Sequence, residues 1–155
     1  MLSCSMQSLL VSHTQRYHKH YRSGGHVWQG RFKSPAIQND GHLLTVLRYI
    51  EANPLRAKLV RQAEQYHWSS YRAHGLGEAD ELLDRLSVYE QLSSYAAVRR
   101  RAWAKRVHLP IEEQSLAAIR RASATGLPYG DENWVQEPAK KLDLDLAIRL
   151  RKAKD

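Results

Sequence analysis

The sequence predicts a mostly α-helical chain with at most one short strand. Three observations carry this reading. Apolar residues recur at steps of three and four through most of the long stretches. Segments containing glycine or proline punctuate those stretches as stop and start signals. Only residues 31–38 read as a strand, and Pro35 assigns it to a sheet edge.

The first helix spans Leu2 to about Arg22, with Met6, Leu10, His13 and Tyr17 on one stripe and Ser23-Gly24-Gly25 ending it. After HVWQGRFKSPAIQ, with its strand at 31–38, Asp40 is the expected N-cap of a second helix to about Glu51. Leu43, Leu44, Leu47 and Ile50 form its expected buried stripe, and Asn53-Pro54 is expected to interrupt it. LRAKLV adds a short turn, 64–74 a loop and short helix, and 75–86 an acid- and glycine-rich linker. Beyond it a helix is expected from Val88 to about Val107, then one from Pro110 to about Thr125, stopped by Gly126. Asp131 is expected to cap a last helix in which Pro138 introduces a kink. The domain reading is therefore 1–76, a linker at 77–87, and a basic helical extension at 88–155.

Composition narrows the classes of function. The chain has 155 residues, 43% of them apolar and 26% charged, as in a globular domain with a modest core. Lys plus Arg number 24 against 16 Asp plus Glu, for a net +8 and a pI near 9.8. Such an excess favours a polyanionic partner, nucleic acid being the commonest. No run approaches the ~20 apolar residues of a membrane span. The segment MLSCSMQSLLVSH lacks a basic start and a long apolar stretch, so a cytoplasmic protein is expected. Cys4 is the only cysteine, which excludes an internal disulfide or a multi-cysteine zinc site.

Residues 17–21, YHKHY, present two histidines in the H-x-H pattern that chelates metal when carried on a strand. Their periodic surroundings predict a helix, where the two side chains diverge by about 200 degrees. Helix-surface histidines are the better reading.

Three stretches read together point further: GGHVWQGRFKS (24–34), LLTVLRYIEANPLRAKLV (43–60) and WSSYRAH (68–74). Their combination of W-Q-x-R-F, R-Y-I-E-x-N-P and W-S-S-Y resembles the REP-associated tyrosine transposases, single-tyrosine HUH transposases of bacterial insertion sequences. The likeness covers roughly residues 5 to 75, and AIRRASATGLPYGDENWV is a weaker match to the C-terminal extension of such proteins. It implies an α+β family, the chain being the C-terminal part of a ferredoxin-like HUH transposase domain that is here mostly α. It implies DNA transposition and recombination chemistry, with Tyr49 as the nucleophile that attacks a phosphodiester of single-stranded DNA. A Mg²⁺ or Mn²⁺ ion polarises the phosphate in that family, and the polar ligand position after the tyrosine falls on Asn53. Positions 49 and 53 share a helical face, off the stripe of Leu43, Leu47 and Ile50, and an amide oxygen suits a hard cation. Packing for the tyrosine and a C-cap for Asn53 are the structural alternatives. The implied partner is single-stranded or hairpin DNA, with Trp28, Gln29, Arg31, Lys33, Arg48, Arg56 and Arg72 as candidate contacts. Trp28 and Trp68 are equally readable as core residues.

The family's H-hydrophobic-H strand has no counterpart in the sequence, since HVW at 26–28 supplies one histidine only. The expectation is a partial domain that binds DNA with little or no strand cleavage, holds metal weakly or not at all, and recovers buried surface by helical repacking or as a homodimer. A non-catalytic DNA- or RNA-binding regulator using the basic C-terminal helices is the alternative, with five cations at 99–106.

Overall fold

A computed structural model describes residues 2–28, 30 and 32–141, with side chains described as far as 136. The chain is mostly helical: α1 (Leu2–Tyr21), α2 (Asp40–Arg56), α3 (Ser87–Glu90), α4 (Ala96–His108), α5 (Glu113–Thr125) and α6 (Glu132–Lys141). A 3₁₀ turn at Ala63–Gln65 and a π-helical turn at Arg72–Leu76 lie between α2 and α3. No helix among the described residues is long and apolar enough to cross a membrane.

Two compact units divide between Ser34 and Pro35, and the 77–87 segment does not separate units. The reason is a shared core. Trp103 and Val107 of α4 pack with Ala52, Ala63 and Tyr71 from before that segment, and Leu86 and Tyr89 join them. The first unit contains α1 and the turn after it. His18 fastens this turn, with Nδ1 at 3.1 Å from Ser23 Oγ and Nε2 at 3.0 Å from the Gly25 carbonyl. YHKHY is thus helical, as its periodicity requires, and His18 serves as a staple.

In the second unit the expected strand at 31–38 reduces to one parallel bridge between Ile37 and Tyr129. The Gln38 N–H donates to the Tyr129 carbonyl at 3.0 Å, and the Tyr129 N–H to Ala36 at 2.7 Å. Pro35 has no N–H to extend the ladder. Helix α2 also departs from expectation at both ends. Its N-cap is Asn39, whose side chain accepts from the His42 N–H at 3.0 Å, and not Asp40. At the other end it runs through Pro54 to Arg56. Pro54 has no N–H to donate to the Ile50 carbonyl, and its ring is buried. The chain then leaves through a Schellman closure: Lys58 N–H to Leu55 O, Leu59 N–H to Pro54 O, with Lys58 left-handed at φ 56°. Asn53 is consequently inside the helix and is no C-cap.

The α2 stripe was misplaced as well. Ile50 is 51% exposed, and the apolar contacts fall on two opposite faces. Leu44, Leu47 and Leu55 face the Trp103 core, whereas Val46 and Tyr49 face Ile119, Ala122 and Tyr129. A helix packed on both sides has no single stripe to read. The long helix expected over 88–107 is broken at 91–95, where Ser93 Oγ accepts the Tyr95 N–H and Arg99 donates to the Ser93 carbonyl. Helix α5 begins at Glu113, three residues after Pro110, and ends on left-handed Gly126 at φ 75°. In α6 the kink expected at Pro138 falls where side chains lie outside the described residues.

Candidate functional site

Tyr49 and Asn53 lie one turn apart on α2, as their spacing demands. Asn53 is exposed. Tyr49 is half-buried against Ile119, Ala122 and Tyr129, and the guanidinium carbon of Arg56 stands 4.7 Å from its ring centroid. That cation–π contact holds the ring from the α2 side while α5 packs against it. A groove of about 670 Å³ adjoins the same cluster, lined by His42, Ala118, Arg121, Tyr129 and Asp131 among others.

Two residues after the tyrosine, Glu51 is completely buried. A bare carboxylate in such a place is very costly, so it is saturated with donors. Ser70 Oγ and His74 Nδ1 each reach Glu51 Oε1 at 2.6 Å, and Trp103 Nε1 donates to Oε2 at 2.6 Å. Tyr89 closes the shell by donating its hydroxyl to the His74 carbonyl and placing its ring 4.7 Å from the imidazole. Gly75 belongs to this assembly: a Cβ there would meet the Tyr71 ring at 2.9 Å. Burial pushes the hydroxyl pKa of both Tyr71 and Tyr89 up. Glu51 of R-Y-I-E-x-N-P and Ser70 and His74 of W-S-S-Y-R-x-H therefore form one hydrogen-bonded cluster, with α4 as its lid.

Sequence reasoning missed Glu51, Ser70, His74 and Trp103 as a group. One signal was legible. Leu44, Leu47, Glu51 and Leu55 follow at steps of three, four and four, so a charge sits in the middle of an apolar face. Such a residue demands partners from elsewhere in the chain.

The arginines proposed for DNA are mostly engaged within the protein. Arg48 donates from Nη2 to the carbonyls of Leu109 and Pro110, tying α2 to the end of α4. Burial, and then the nearby charge of Arg106, push its pKa below the usual arginine range. Arg72 forks onto the Glu78 carboxylate with two bonds of 2.7 Å. Arg56 covers Tyr49. Lys33 is exposed, and Trp28 is exposed within the first unit; Gln29 and Arg31 lie outside the described residues. Trp68, the other tryptophan of the motifs, is 87% exposed and packs in no core.

For a divalent ion the donor set around Tyr49 is a poor fit. A hard cation takes about six oxygen ligands, and Asn53 offers one neutral oxygen. No group of three or more His, Cys, Asp or Glu among the described residues is arranged to hold a metal. In comparisons with known proteins, no family model, no curated protein and no solved structure matches the chain.

Proposed function

We infer that the chain is a transposase-like protein that binds single-stranded or hairpin DNA, with Tyr49 at the nucleophile position for strand cleavage and joining. The observation that supports this most is the Glu51 cluster. Two of the three motif stretches behind the resemblance converge on a single buried carboxylate, two residues from Tyr49 and two from Asn53. This makes those two stretches one physical unit. In the reaction the Tyr49 oxygen bonds to the scissile phosphorus as the bond to the 3′ oxygen breaks. The phenolic proton is lost to solvent, the 3′ oxygen takes one up, and a 5′-phosphotyrosine remains. Asn53 is the one metal-ligand position that the resemblance supplies, so in this reading binding is the principal activity and cleavage is slow or nil. A ferredoxin-like ancestry and a cytoplasmic location belong to this same reading.

The test is incubation of the protein with a hairpin oligonucleotide carrying single-stranded flanks, with and without Mn²⁺. Salt-sensitive binding of the hairpin in preference to plain duplex is expected. A covalent adduct lost in Tyr49→Phe establishes the nucleophile and overturns the statement that cleavage is negligible. Absence of hairpin binding refutes the reading as a whole.

A second reading, a non-catalytic DNA- or RNA-binding regulator, is favoured by one feature of α4. Arg101, Lys105 and His108 share an exposed face opposite buried Trp103 and Val107, and the helix contains no acidic residue. Loss of binding in Arg101→Gln/Lys105→Gln, with no adduct formed by the parent protein, selects it.

A further inference from the structure

The first unit carries a row of rings of which the motifs explain only Trp28. Helix α1 buries none of its residues, yet its aromatic side chains are in register. His13, Tyr17 and Tyr21 recur every four positions and so share one face. The rings of His13 and Tyr17 lie 6.4 Å apart and those of Tyr17 and Tyr21 4.6 Å apart. Trp28 folds back to extend the row. Its indole N–H donates to Thr14 Oγ1 at 3.1 Å, which sets the indole 5.1 Å from the His13 ring. All four rings are open to solvent, with Tyr17 40%, Tyr21 62% and Trp28 43% exposed. Tilts of 45° between the tyrosines and 48° between His13 and Trp28 leave the rings offering separate faces.

Charge indicates what covers this row. Residues 1–34 contain Arg16, Lys19, Arg22, Arg31 and Lys33 and no Asp or Glu at all. Arg16, directly before Tyr17, and Arg22, directly after Tyr21, flank the row and are exposed. An apolar partner would leave those cations unmatched. Duplex DNA would match them and leave the rings unused, because its bases are already stacked. A single strand satisfies both, with bases on the rings and phosphates against the cations.

We propose that the row of His13, Tyr17, Tyr21 and Trp28 is a stacking platform for unpaired bases of single-stranded DNA, whose backbone the neighbouring cations hold. The proposal rests on the DNA reading above for its choice of DNA over RNA, and it names the surface that takes the unpaired flank.

The experiment uses the full chain and a fluorescent oligo-thymidine of about ten nucleotides, within the usual span of such sites. Tyr17→Ala/Tyr21→Ala lowers affinity about a hundredfold, roughly tenfold for each lost stack. Tyr17→Phe/Tyr21→Phe keeps the rings and holds affinity within about threefold of the parent. Arg16→Gln has a smaller effect and reduces the salt slope by about 0.7, the value for one phosphate of a single strand. Binding quenches indole emission, and that quenching is lost in Trp28→Phe. Circular dichroism shows unchanged helicity in the alanine variant, since both tyrosines are exposed and alanine is the better helix former. The proposal is overturned if that helical variant binds within about twofold of the parent, if the parent prefers a duplex of equal length, or if it prefers oligo-uridine by about tenfold. Oligo-thymidine binding that depends on the rings, without preference for the hairpin or a Tyr49 adduct, keeps the platform and removes the transposase reading. A Tyr49 adduct unaffected by Tyr17→Ala/Tyr21→Ala does the reverse.

Discussion

Replacing Glu51 by alanine removes the acceptor shared by two buried donors and a half-buried one. Ser70 Oγ, His74 Nδ1 and Trp103 Nε1 each approach it at 2.6 Å, and the side chain is fully enclosed. Each stranded donor costs about 1–3 kcal/mol, giving a sum of about 3–9 kcal/mol before relaxation. Water entering the vacated space and rotation of the Ser70 hydroxyl lower that sum. About 4 kcal/mol is expected. Against a typical total of about 5–15 kcal/mol, this brings the second unit close to its unfolding midpoint. Glu51→Gln is milder, about 2 kcal/mol, because one oxygen remains while the new amide N–H₂ confronts the indole or imidazole donor. Urea titrations followed by circular dichroism and tryptophan emission measure both variants. A double-mutant cycle with Trp103→Phe should return a coupling of about 1–2 kcal/mol for Glu51→Gln. A loss below about 1 kcal/mol for Glu51→Ala would refute the argument, since it would mean that the three donors find other acceptors.

Burial raises the pKa of the Tyr71, Tyr89 and Tyr129 hydroxyls above the ordinary tyrosine value of 10.0. The folded state therefore binds more protons than the unfolded state above that value, so stability is intact below pH ~10 and falls as pH rises through the shifted range. Alkaline titration should show phenolate absorbance in two phases, the second coinciding with loss of helicity; a single phase without unfolding would contradict it. Lys58→Gly relieves a left-handed position at φ 56° and should stabilise the protein by about 0.5–1 kcal/mol in urea unfolding. Trp68→Ala should change stability by less than about 0.5 kcal/mol, because the indole is 87% exposed; a larger loss would show that it packs.

Helical content, the extent of α1, the Gly126 stop and the neighbourhood of Tyr49 and Asn53 were all legible in the sequence. Each depends on contacts within a turn or two, so local spacing and end signals suffice. The errors have a common cause. Pro54 looked like a helix stop because the rule for proline is local, whereas the Schellman closure at 58–59 and burial of the ring decide the end of α2. Ile50 looked buried because one stripe was assumed for a helix that packs on two sides. The linker at 77–87 looked like a boundary because its composition is open and acidic, yet the residues on either side share one core. The sequence by itself determined that the chain is mostly helical and that Tyr49 and Asn53 share a helical face. Only the tertiary structure decided that Glu51 is the hub of those motifs, because its partners lie 19, 23 and 52 positions away and no local pattern encodes contacts at that range.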